Sequence, residues 1–193
     1  MSSAEILRIV VPLIGVIIIG AMLIIFVRGR SAKRELALTE LAARSGLKYT
    51  PGGRDFFQGY WPGKVAGVYR GRKLTFQYKD KPFMSRQGFM AADYWAMVEI
   101  AVKNPGGGSL SLENLKVTSK PEAFARSVLG NPQLRQRLDQ SRGRVNVVNS
   151  GTVAFTSNRI YRNSAELMEL IDVLNDLADV VEAQPARTSA AGK

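Results

Sequence analysis

The chain has 193 residues and carries 27 Lys and Arg against 16 Asp and Glu, a net charge of +11, with neither His nor Cys. Those absences exclude a thiolate nucleophile, a disulfide framework, a Cys/His zinc site, a histidine-ligated haem and a Ser-His-Asp triad. Hydrophobic residues at 46% suffice for a packed core, and the length suits one domain or slightly more.

The first element is apolar. Ile9 to Val27 contains no charged side chain. At about 1.5 Å per residue it would span roughly 28 Å, against ~30 Å for the hydrocarbon of a bilayer. The run predicts a transmembrane helix (core 9–27) within an N-terminal segment 1–30. Only Arg8 precedes it, opposed by Glu5, whereas Arg28, Arg30, Lys33 and Arg34 follow it. A cleaved signal peptide has the reverse order, so the pattern predicts an uncleaved, single-pass signal-anchor. Those four cations are the expected topology determinants, placing the N-terminus outside and the C-terminal bulk in the cytoplasm, at the inner membrane. The absence of Cys fits a reducing compartment.

A juxtamembrane helix or linker follows at 31–46, with Leu38, Leu41 and Ala42 on one stripe and Gly46 as its stop. Thr50-Pro51-Gly52-Gly53 breaks the chain. Residues 65–69 and 73–79 read as strands joined across Arg70-Gly71-Arg72 in a tight hairpin; Leu74, Phe76 and Tyr78 alternate with Thr75, Gln77 and Lys79. A third strand is expected over 93–103, ended by Pro105-Gly106-Gly107-Gly108, and an extended piece over 115–118. Prolines 121 and 132 open two short helices, 121–129 and 132–140. A second hairpin joins 145–148 to 152–156. Last comes an amphipathic helix, introduced by Asn163 and Glu166 as a capping-box-like start. Leu167, Leu170, Ile171, Leu174, Leu177, Ala178 and Val181 form its apolar face, and Glu169, Asp172, Asp176 and Asp179 a face expected to be solvated. Residues 183–193 read as a disordered tail.

Hairpins with helices grouped between and after them predict an α+β fold for the cytoplasmic domain 47–182: an antiparallel sheet with the C-terminal helix packed on it. The expected whole is one transmembrane helix followed by that domain.

Little in the chain carries chemistry. The glycines at 106–108 lack the Gly-Lys-Ser/Thr ending of a phosphate cradle and open no helix. The carboxylates show no paired spacing for acid/base work and no calcium-loop pattern. The chain therefore reads as non-enzymatic, with no catalytic, cofactor-binding or metal-binding residues and no cofactor. The aromatics are more informative: 11 of the 16 fall within 54–95, including both Trp, and Arg54 to Arg86 holds eight basic residues against two acidic ones. Two segments, 54–62 and 80–91, mix large apolar groups with cations. They nominate Phe56, Phe57, Tyr60, Trp61, Phe83, Met84, Arg86 and Phe89 as contacts for a protein partner or for anionic lipid headgroups, against the alternative that both segments cover the sheet. Nucleic acid is a further reading of the +11 charge; the absence of an RNP1 or helix-turn-helix pattern argues against it.

Taken together, the membrane helix, the basic linker, the stretch Leu41-Ala42-Ala43-Arg44-Ser45-Gly46-Leu47-Lys48-Tyr49-Thr50-Pro51, the Tyr69-Arg70-Gly71-Arg72 hairpin and the terminal amphipathic helix resemble uncharacterised bacterial membrane-anchored proteins. The resemblance spans most of 28–182 and implies a bacterial origin and an α+β cytoplasmic domain; it carries over no site residue. The expected function is a membrane-anchored interaction module, an accessory or assembly subunit of a bacterial membrane complex. A lipid-surface sensor and a membrane-tethered nucleic-acid binder are the alternatives.

Overall fold

A computed structural model describes residues 14–15, 18–20, 22, 34–55, 59–80, 94–113, 115–161 and 163–186. The first helix, α1 (34–45), ends at Gly46, whose φ of 69° suits glycine. It leads into β1 (Lys48–Thr50), a small hairpin of β2 (Gly53–Asp55) and β3 (Gly59–Trp61), then β4 (Lys64–Tyr69), β5 (Arg72–Asp80) and β6 (Tyr94–Ala101). There follow β7 (Ser109–Glu113), β8 (Lys116–Lys120), α2 (Glu122–Val128), α3 (Pro132–Gln140), β9 (Arg144–Val148), β10 (Thr152–Ser157) and α4 (Ser164–Glu182).

Eight strands form one antiparallel sheet in the order β1-β4-β5-β6-β10-β9-β7-β8, while β2 and β3 pair only with each other. The period of two decides which face is dry. Leu74 pairs with Ile100 and Phe76 with Val98, Phe155 lies opposite both Val98 and Val145, and Leu112 lies opposite Val145. All of these side chains are buried. The helices cover this face. Ala37, Leu38, Leu41 and Ala42 of α1 are buried, as are Phe124 and Val128 of α2 and Leu134 and Leu138 of α3. In α4 the apolar stripe from Leu167 to Val181 is buried, together with Val173 and Asn175, because α2 and α3 pack against its outer side.

The β4–β5 turn has positive φ at both central residues, 48° at Arg70 and 78° at Gly71, a handedness that matches the twist of the paired strands. At the start of α4, Asn163 Oδ1 accepts from the Ala165 amide at 2.8 Å, while Glu166 turns outward to Arg159 at 2.9 Å. The cap is thus the Asn alone, without the reciprocal Glu of a capping box.

One expectation is corrected. No helix among the described residues is long and apolar enough to cross a membrane, which overturns the architecture of one transmembrane helix followed by a domain. The assignments membrane-integral, single-pass and signal-anchor fall with it. A span needs length and apolarity in the same unbroken helix. The 19-residue α4 has the length, but six carboxylates from Glu166 to Glu182 line it, and charge at a span's centre is costly. The run 9–27 lies mostly outside the described residues; within it, residues 14, 15, 18–20 and 22 are helical. The observed architecture is an eight-stranded antiparallel sheet domain with helices on one face.

Candidate interaction surface

Register places several chain segments at one end of the sheet. Lys64 opens β4 opposite Gln77 and next to Thr50, the last residue of β1; Asp80, the last of β5, pairs with Tyr94, the first of β6. The β2–β3 hairpin and the β5–β6 connection therefore leave the sheet from the same end. The start of α1 is fixed there too. The Glu35 carboxylate accepts from the Tyr49 hydroxyl and from the Gly63 amide, the latter at 3.1 Å. Burial, and then the hydrogen bond to Glu35, pushes the Tyr49 phenol up to about 12. Arg34 is 6% exposed with its guanidinium 6.0 Å from the Tyr78 ring centroid. The Tyr78 hydroxyl donates to the Tyr161 carbonyl and accepts from the Tyr161 amide, both at 3.1 Å. Burial raises the Tyr78 phenol well above the usual tyrosine range.

Of the residues nominated from sequence, Tyr60 and Trp61 lie in β3, paired with Arg54 and Gly53. Phe56, Phe57, Phe83, Met84, Arg86 and Phe89 lie outside the described residues, as do Arg28, Arg30 and Lys33. Arg34 is packed into the domain. The structure thus brings the roots of segments 54–62 and 80–91 together.

The opposite end is stitched by charge. Tyr69 donates to Asp172 at 2.9 Å, and Arg70 bridges Asp172 at 3.0 Å and Asp176 at 3.2 Å. Arg72, only 11% exposed, reaches Asp179 at 2.6 Å and Glu182 at 2.5 Å, and Arg137 of α3 reaches Asp176 at 2.6 Å. The hydrogen bond from Arg72 holds the Glu182 carboxyl below its ordinary value, aided by the Lys103 amide at 2.8 Å. The same bond to Glu182 raises the Arg72 guanidinium, and burial followed by Asp172 raises the Tyr69 phenol. Asp172, Asp176 and Asp179 of the acidic stripe expected to be solvated form the docking strip for the β4–β5 turn, while Glu169 is exposed as expected. Sequence reading missed this seam. A signal was present in the acids at 172, 176 and 179, one helical turn apart, and in the cations at 70 and 72, but nothing local pairs positions a hundred residues apart.

No element among the described residues packs on the other sheet face. Its central row runs Lys48, Ala66, Thr75, Glu99, Ala154, Asn146, Ser111, Thr118 across the strands. Lys64, Lys73, Lys79, Lys116 and Lys120 share this face and are exposed. A shallow cavity of about 300 Å³ lies on the helix side, lined in part by Arg137, Arg159, Tyr161 and Glu166. Among the described residues no cluster of three or more carboxylates is arranged to hold a metal ion.

No protein-family model matches the chain, and no curated protein matches it in sequence. Its fold, a helix-backed antiparallel sheet, is that of a known transport factor. The solved structure is the mycobacterial trehalose monomycolate transport factor A, TtfA, matched at a TM-score of 0.53 over 82% of this chain and 98% of that one. At 13% identity the likeness concerns the fold alone.

Proposed function

We propose that the chain is a non-enzymatic accessory module of a bacterial membrane transport assembly. It works at the cytoplasmic side of the inner membrane and binds a protein component of an assembly that moves a lipid or glycolipid cargo. The observation that carries this reading is the sheet-and-helix fold shared with a transport factor across nearly all of that protein's length. A second feature supports it: the two segments rich in aromatics and cations leave the sheet from one end, so that both can meet one partner.

The test is crosslinking of the tagged full chain in native membranes, with depletion of the chain in parallel. A polytopic transporter is expected in the crosslinked product, and export of its glycolipid should fall on depletion. Trp61→Ala with Tyr60→Ala should lower the crosslinking yield. Unchanged export together with an uncrosslinked chain would end the proposal.

A further inference from the structure

The open sheet face is not uniformly charged, and the register shows where its cations gather. Lys48 on β1, Lys64 on β4, and Lys73 and Lys79 on β5 all point away from the helices. Three neighbouring strands therefore present four lysines within an area of about 10 by 20 Å. None of the four has a carboxylate within ion-pair distance among the described residues. Elsewhere the pattern differs. Arg70, Arg72, Arg137 and Arg159 on the helix side are each matched to an acid, and on the far half of the open face Arg144 is matched to Glu113 at 3.4 Å. These five arginines are neutralised internally, whereas the four lysines are exposed to solvent.

From this arrangement we propose that the β1–β4–β5 lysine patch docks the domain on the anionic phospholipid headgroups of a bilayer. The inference is independent of the transport reading and stands or falls on the patch itself. Charge complementarity is the first argument, since each lysine beside an anionic bilayer contributes roughly fivefold in binding. The residues between the cations are the second. Thr50, Ala66, Val68, Thr75 and Gln77 include no aromatic ring and no guanidinium, whereas protein interfaces favour Arg and large aromatics at their centres and are depleted of Lys. A lysine is a compact, hydrated point charge suited to a fluid layer of headgroups, where no bidentate geometry has to be matched. Polynucleotide readers add rows of stacked aromatics and arginines; on this face β1, β4 and β5 carry neither, and a single ring, Trp95 of β6 opposite Lys79, borders the patch.

The experiment uses the full chain with vesicles of pure phosphatidylcholine and vesicles containing one-third phosphatidylglycerol. The readout is the ratio of anionic to neutral retention, which cancels any apolar insertion common to both. Lys64→Glu with Lys73→Glu should lower that ratio by at least about tenfold, whereas Lys116→Glu with Lys120→Glu should leave it within about twofold. The second pair lies on the same face, at the far edge strand β8, and changes the net charge equally. A lysine-acylation footprint on the unaltered chain gives an answer even if a variant fails to fold. Lys48, Lys64, Lys73 and Lys79 should be protected by anionic vesicles and not by neutral ones. Equal losses in the two double variants, no loss in either, or protection confined to Lys116 and Lys120 would overturn the proposal. So would patch-dependent retention on immobilised RNA tighter than on anionic vesicles at equal phosphate.

Discussion

The Arg72 bridge yields the sharpest stability test. Its guanidinium is nearly buried and joins the β4–β5 turn to the last turn of α4 through Asp179 and Glu182. Exposed ion pairs contribute about 0–1 kcal/mol, whereas hydrogen bonds to charged, part-buried groups contribute about 1.5–3 kcal/mol. Glu182 is 28% exposed and Asp179 60%, so Glu182 is the stronger partner. Arg72→Met should therefore cost about 2 kcal/mol, or a fall in Tm of roughly 4–8 °C for a domain of this size. Glu182→Gln keeps an acceptor for the Lys103 amide and removes only the charge, so it should cost less, and the pair should couple by about 1 kcal/mol in a double-mutant cycle. The pH dependence has a definite sign. The folded carboxyl of Glu182 titrates below its unfolded value of 4.5, so its contribution is present above that value and is lost as pH falls through the lower, folded one. Thermal unfolding of wild type and Glu182→Gln, followed by circular dichroism from pH 7 to pH 3, should show a gap that narrows on acidification. A gap that stays constant with pH, or a coupling below about 0.3 kcal/mol, would refute the reasoning.

Three further predictions rest on single contacts. Gly143→Ala would place a methyl 2.2 Å from the ring of the fully buried Phe155 and 2.8 Å from the Thr156 carbonyl, so denaturant titration should register a loss of more than about 2 kcal/mol, partly recovered by Phe155→Leu. Asn131 caps α3 by accepting from the Gln133 and Leu134 amides at 2.9 and 3.3 Å; Asn131→Ala should cost about 1 kcal/mol in the same assay, and Asn131→Asp very little. Tyr49 titrates near 12 in the folded protein against 10.0 in its absence, so the neutral phenol stabilises the fold below pH 10 and this contribution drains away between 10 and 12. Tyr49→Phe should flatten the decline in unfolding free energy over that interval and remove one high-pH step from the ultraviolet tyrosine titration.

Local periodicity explains which elements were legible. The heptad-like run from Leu167 to Val181 and the alternation Leu74, Phe76, Tyr78 each encode one dry face, and the helix and strand at these positions follow it. The short strands β1, β2, β3 and β7 were not foreseen: three residues hold too few alternations to signal β1, β2 or β3, which pairing with a neighbour creates, whereas β7 does alternate, Leu110 and Leu112 against Ser109 and Ser111. The membrane span was the converse error. Hydropathy counts apolar residues in a window, and no described helix joins that apolarity to the length a span requires.

By itself the sequence determined the absence of thiol and imidazole chemistry, the dry face of each long element and the glycine-assisted turn at Arg70-Gly71. These depend on residue type and on spacings of two to four positions. Tertiary structure alone decided that Arg72 meets Glu182, that the roots of segments 54–62 and 80–91 share one end of the sheet, and that Lys48, Lys64 and Lys73 share one sheet face. The physical reason is register: hydrogen-bonded pairing aligns residues distant in the chain, and one residue of slip would turn the whole lysine set toward the core.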